Sequence, residues 1–368
     1  MSFTIETPNV FEIETHKEKY SVSLDDITNY KEIFTYNNKL NHKNVIMLKK
    51  NEYDIFYSCK HKYPLLVKET ITPNTGKPGV GEDPIVRSKI IDPFRQDPDI
   101  PDTCSHTLED YRKYMEYGGS MGHNAPAGQH RTNMEIYSET FQLSNITPQE
   151  MVFNCGIWAL MENFCKNMQT NTRIENISVI TGSIPNQQNY IFDGVTMNVP
   201  LKMFKIICFT SKGTPNITHM EILIANNQPF FVNPTLKYFD LSRYLLPVKS
   251  YNWFQNFSGI NLKNLLNYYN YNTDNIAVFR HFISFNYGVS PILRKLMLKS
   301  NWFGYIIYAD NLDILENVWT ECQKYEKEFD TLEFHKEFYD LVKQRLLRDG
   351  DNVHKYLQNI KKMVIDKK

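Results

Sequence analysis

The sequence lacks an excess of charge of either sign: 41 lysines and arginines balance 41 aspartates and glutamates among 368 residues. That balance excludes the strongly basic composition of a protein whose main task is neutralising long runs of phosphate, and it confines any nucleic-acid affinity to a local patch. Long hydrophobic runs are also missing. The most apolar stretches, around Ile206-Ile207 and Tyr305-Ile306-Ile307-Tyr308, fall well short of the roughly 18 residues that read as a membrane span, so no transmembrane segment is expected. Cysteine is sparse. The six residues (Cys59, Cys104, Cys155, Cys165, Cys208, Cys322) include no pair at the spacing of a zinc knuckle or redox motif, which predicts reduced thiols rather than a disulfide framework. The first 20 residues carry four glutamates, no arginine and no apolar core, so neither a transit peptide nor a signal peptide is visible.

The length suffices for a large core in one extended domain or two domains. Val45-Ile46-Met47-Leu48 and Tyr53-Asp54-Ile55-Phe56-Tyr57 have the length and apolar content of strands, as do Ile177–Ile180, Phe204–Phe209 and Met220–Ile224. Residues 68–105 hold many of the prolines and glycines without sustained periodicity and read as a long loop. Beyond about residue 290 the spacing becomes helical. Leu312, Leu315, Val318, Trp319 and Cys322 make one stripe, Phe334, Phe338, Leu341 and Val342 a second, and Val353, Tyr356, Leu357 and Ile360 a third. The expected fold class is therefore α+β, with a C-terminal helical extension whose stripes are core surface.

The densest cluster of chemically informative residues runs from Asp110 to Glu162. It contains the glycine-rich Gly118-Gly119-Ser120-Met121-Gly122-His123, the run Ser138-Glu139-Thr140-Phe141, the segment Ser144-Asn145-Ile146-Thr147-Pro148-Gln149, and Asn154, Trp158 and Glu162. His123 follows what reads as a glycine-rich turn, where a backbone approaches a ligand closely and an imidazole titrates near neutrality. Asn154 opens an expected helix, with Glu162 two turns further on. A histidine, an amide oxygen and a carboxylate suit metal-assisted hydrolysis, in which the histidine activates water and a hard cation such as magnesium steadies the leaving oxygen.

In order and spacing these residues resemble the DNA/RNA non-specific endonuclease family, the ββα-metal (His-Me finger) nucleases that include mitochondrial endonuclease G. The family signature, Asp-Arg-Gly-His, is matched by Ser120-Met121-Gly122-His123. Its later Ser-Asn-Ile-x-Pro-Gln segment is matched by Ser144 to Gln149, and its Asn with Trp four and Glu eight residues on by Asn154, Trp158 and Glu162. Phe94, Asp97, Pro98, Ile100 and Pro101 resemble its lead-in. The resemblance implies a ββα-metal core with a mostly antiparallel central sheet over residues 46–265, an N-terminal extension over 1–45 and a helical extension over 266–368. It also implies His123 as general base, Asn154 as the protein's direct Mg2+ ligand, and Glu162 and Asn145 as residues ordering the metal's water shell and the nearby loop. The implied activity is hydrolysis of DNA and RNA phosphodiesters, the implied compartment is mitochondrial, and protein partners or a homodimer are expected.

Two departures bear on activity. The signature arginine is Met121, which removes a planar cation that could brace developing phosphate charge. The family's upstream arginine has no clear match, with only Arg87 and Arg95 close and Arg112 or Arg131 as other sources of a cation. The contrasting expectation is a catalytically silent, nuclease-like structural subunit of a larger mitochondrial assembly, in which the aromatic content supplies interface anchors.

Overall fold

The computed structural model describes residues 45–77, 85, 93–116, 119–169, 174–186, 189–211, 217–228, 238–240, 245–246, 254, 262–269 and 286–288. The three C-terminal helical stripes and residues 1–44 of the N-terminal extension lie outside the described residues.

The protein is an α+β fold around a six-stranded antiparallel sheet. Strands β1 (Val45–Lys49), β2 (Tyr53–Ser58) and β3 (Tyr63–Ile71) form a meander. Next in space come β6 (Ile174–Ile184), β9 (Lys202–Ser211) and β10 (Ile217–Asn226), giving the order β1-β2-β3-β6-β9-β10. The register pairs Glu69 with Val179, and Ile207 with both Val179 and Glu221. The runs expected as strands at β1, β2, β6, β9 and β10 are strands. The long loop expected from residue 68 starts later, because β3 continues to Ile71 despite Pro64, Lys68 and Glu69.

Strand alternation divides the sheet's side chains between two cores. One face buries Phe56, Leu66, Ile180, Phe204, Ile206 and Ile222 beneath helix α4 (Leu262–Tyr268), which contributes Leu262, Leu265 and Leu266. The opposite face buries Ile71, Ile177, Val179, Ile207 and Leu223 beneath helix α3. That helix comprises Met151–Phe153, a π turn over Asn154–Trp158, and Ala159–Met168. It begins three residues before Asn154, because the Glu150 carboxylate caps it by accepting the Phe153 amide at 2.7 Å. Its stripe of Phe153, Ile157, Trp158, Met161, Phe164 and Cys165 is buried on the sheet, each large side chain adding roughly 1.5–3 kcal/mol of burial free energy.

Two smaller antiparallel pairs complete the site region: β4 (Gly119–His123) with β5 (Ile146–Glu150), and β7 (Tyr190–Phe192) with β8 (Val195–Met197). Helix α1 (Leu108–Glu116) precedes β4, and its start is set by a reciprocal cap in which Thr107 and Asp110 each accept the other's amide. Helix α2 (Met134–Glu139) lies between β4 and β5 and is capped by Asn133. The glycine-rich stretch before His123 is thus a strand and not the expected turn. Gly122 allows it, since a Cβ there would sit 2.1 Å from the Gln149 side chain crossing from β5.

The expectation of reduced thiols is corrected at one place: Cys59 and Cys104, 45 residues apart, are joined as a disulfide. Cys165 and Cys208 are buried free thiols.

Candidate active site

Successive elements β4, β5 and α3 form a ββα unit that carries the expected site residues. His123 is the last residue of β4, half-buried, with its ring 5.5 Å from Phe94 and 5.1 Å from Phe141, the latter edge-on at 89°. Phe94 is held there by its neighbour Arg95, whose backbone bonds the Phe141 carbonyl and the Leu143 amide. Asp97 anchors the same lead-in segment, accepting from Ser144 Oγ and pairing with Lys50 at 2.9 Å. The loop after His123 is clamped by Asn145, which is fully buried. Its Oδ1 accepts the Ala125 amide at 2.9 Å, and its Nδ2 donates to the carbonyls of Ala125 and Thr140 at 2.9 Å each. Asn124 adds bonds to the Asn145 carbonyl and to Thr147.

Two contacts join α3 to β4. Asn154, at the start of the π turn, donates from Nδ2 to Ser120 Oγ at 2.6 Å, and Trp158, at its end, donates its indole N–H to the His123 carbonyl at 3.0 Å. A π turn inserts one residue into the helical ladder, and here it lets Asn154 and Trp158 address the same strand. Glu162 lies one turn beyond Trp158. Burial lifts its carboxyl to about 7, opposed by the Lys205 ammonium, reinforced by Glu69, and opposed further by the Trp158 indole. Lys205 is itself buried, donating to Thr181 Oγ1 at 2.9 Å with its ammonium 4.4 Å from the centre of the Trp158 ring. The structure therefore brings His123, Asn154 and Glu162 onto one ββα unit and sets Asn145 beneath the His123 loop.

Hard-cation chemistry fits these donors. With its amide hydrogen directed to Ser120, the Asn154 side chain keeps its carbonyl oxygen, the type of ligand that magnesium accepts, for a ligand. At the signature arginine position Met121 is half-buried against an apolar cluster of Tyr111, Tyr114, Leu143, Ile146 and Met197.

A second buried network carries no local sequence signal. His130, fully buried, lies between two carboxylates: Nδ1 is 2.7 Å from Glu52 and Nε2 is 2.8 Å from Glu69, while Thr132 donates to Glu52 at 2.8 Å. Burial by itself would lower the imidazole's pKa, but hydrogen bonds and charge from the two glutamates overcome it and hold His130 at about 9. The imidazolium ties the His123 loop to β3. Its partners lie 78 and 61 residues away in sequence, so no local pattern marks them.

Residues 29–268 match the family model for DNA/RNA non-specific endonuclease. Over 146 residues the chain is 31% identical to a protein of Xenopus laevis named "Nuclease EXOG, mitochondrial", covering 37% of this chain and 39% of that one. Over 196 residues it is 26% identical to "Nuclease 1, mitochondrial" of Schizosaccharomyces pombe, covering 50% of this chain and 58% of the other. The chain thus spans about two fifths to three fifths of the length of these relatives. A chain in a crystal structure of the EndoG/EndoGI complex is 24% identical, with a TM-score of 0.48, covering 67% of this chain and 96% of that one.

Proposed function

Because the chain belongs to the DNA/RNA non-specific endonuclease family, we propose that it is a magnesium-dependent nuclease hydrolysing phosphodiester bonds of DNA and RNA, with its reaction site on the β4–β5–α3 unit. The observation that carries this reading is the pair of contacts from α3 to β4, which places the Asn154 amide and the His123 backbone in one hydrogen-bonded frame.

In this reading His123 is the general base, taking a proton from water. Its ring is steered by Phe94 and Phe141 and its main chain is fixed by Trp158. Asn154 is the direct metal ligand and Asn145 a positioning residue for the loop. Glu162, close to neutrality in its titration, orders water around the metal. Bound magnesium would supply Lewis-acid stabilisation of the leaving oxygen. The nuclease-like domain is proposed to occupy residues 46–265 between the two extensions. A mitochondrial location is proposed from the printed names of the relatives.

The test is cleavage of supercoiled plasmid and of RNA with Mg2+ or EDTA. Activity is expected only with the metal, and His123→Ala or Asn154→Ala should each lower turnover by at least about 10². Cleavage surviving in either variant would reassign those roles. One observation favours a second reading, a catalytically silent subunit of a larger mitochondrial assembly: the apolar packing of Met121 in place of a guanidinium. Stoichiometric recovery in a large complex, with no cleavage under any divalent metal, is the outcome that selects it.

A further inference from the structure

Along strand β9, Met203, Ile207 and Phe209 belong to the apolar core that α3 covers, and Lys205 stands in the same alternation between them. It is 1% exposed. Taking an ammonium out of water is costly unless hydrogen bonds and opposite charge compensate it, and an apolar side chain of similar length would avoid that cost in this core. Two contacts among the described residues compensate the charge. Lys205 Nζ donates at 2.9 Å to Oγ1 of Thr181, the residue paired with it across β6 and β9, and it lies 4.4 Å from the centre of the Trp158 ring.

The ammonium sits where α3 meets β4. Trp158 takes the cation over its ring and directs its indole N–H to the His123 carbonyl at 3.0 Å. A cation over an indole draws the ring's electron density toward itself, which makes the N–H a stronger donor, and bonds linked in this way polarise one another in a low-dielectric interior. Thr181, Lys205, Trp158 and His123 thus form one line of contacts from the middle of the sheet to the last residue of β4. Glu162 stands beside that line, its carboxylate favoured by both the Lys205 ammonium and the Trp158 indole.

Resting on the nuclease reading above, we propose that Lys205 is a positioning residue for the reaction: its ammonium, held against the Trp158 ring by Thr181, keeps the indole N–H on the His123 carbonyl and so sets where the general base stands. Buried beneath α3, Lys205 offers a substrate no surface, so its effect falls on kcat and not on KM.

The experiment compares the full chain with Lys205→Met, which keeps the length of the side chain and removes its charge, with Trp158→Phe, and with the double variant. One readout is cleavage of a short oligonucleotide with Mg2+. The other is hydrogen exchange of the Trp158 indole N–H in 15N-tryptophan-labelled protein, its resonance identified among the four tryptophans by its absence from Trp158→Phe. Lys205→Met is expected to accelerate that exchange and to lower kcat about 10-fold with KM unchanged, within the roughly 10² that a misplacement of about 1 Å costs. The double variant should lose no more kcat than Trp158→Phe alone, because residues acting through one contact are not additive. Thr181→Val removes the oxygen that holds the ammonium and should move exchange and kcat in the same direction, which decides the matter if Lys205→Met does not fold. Variants that lose Tm while exchange and kcat stay unchanged, or kcat losses that add in the double variant, overturn the assignment and leave the nuclease reading intact. If the unsubstituted chain cleaves neither DNA nor RNA, the nuclease reading falls, and the exchange rates alone decide whether Lys205 holds Trp158 on His123.

Discussion

The amide of Asn154 donates to Ser120 Oγ at 2.6 Å, so the expected metal ligand is oriented by the residue standing where the family signature has aspartate. The hydroxyl fixes which end of the amide faces the strand.

Ser120→Ala should therefore free the amide to rotate while leaving the fold intact. Partners that orient a metal ligand commonly contribute 10–100-fold to metal affinity or activity. The magnesium concentration for half-maximal cleavage is expected to rise by about that factor, with little change in Tm. A larger loss of Tm than of metal affinity would mark Ser120 as structural.

Met121→Arg restores the signature cation at a half-buried position at the rim of the Tyr111, Tyr114 and Met197 cluster. Cleavage is expected to rise. A lost stabilising donor costs on the order of 10²–10³ in rate, which sets the ceiling on the gain. No gain, with magnesium binding demonstrated by calorimetry, would mean that another cation already serves.

His130 ties stability to pH. Its folded pKa of about 9 stands above the ordinary imidazole value of 6.5, so the stabilisation is fully present below about pH 6.5 and is lost as pH rises through 9. The groups facing it are Glu52, Glu69 and the Tyr53 ring. Tm should fall across that window, and His130→Gln should flatten the fall while lowering stability by about 3–5 kcal/mol at neutral pH, because two carboxylates lose their cation. An unaltered slope in the variant would assign the effect to other groups.

The disulfide between Cys59 and Cys104 closes a loop of 45 residues that includes Phe94 and Asp97. Reduction, or Cys59→Ser/Cys104→Ser, is expected to cost about 2–4 kcal/mol. Differential scanning calorimetry with and without reductant reads this directly, and identical curves would show that the bridge contributes nothing.

Much of this architecture is legible in the residues. The runs at Val45, Tyr53, Ile177, Phe204 and Met220 have the length and apolar content of strands, and the spacing of His123, Asn154, Trp158 and Glu162 marks the candidate site. Where local chemistry and tertiary structure conflict, the reading fails. Pro64, Lys68 and Glu69 disguise β3, whose charged residue Glu69 is buried because His130 neutralises it. Gly119 and Gly122 look like a turn, yet they form a strand because Tyr114 and Gln149 occupy the space a Cβ would need. The pairing of Cys59 with Cys104 is a product of topology and leaves no mark at short range.

The π turn makes α3 sensitive to length as much as to composition. In an α-helix each residue advances the phase by about 100°, and the extra residue within Asn154–Trp158 sets the two halves of α3 out of step with each other. Removing one residue there, Gly156 for example, would restore a regular ladder and rotate either Asn154 or the Trp158–Glu162 half away from β4. Substitutions in this segment act one contact at a time, whereas a single-codon deletion would separate the Ser120 and His123 contacts in one step. The segment works as a gear with a fixed number of teeth.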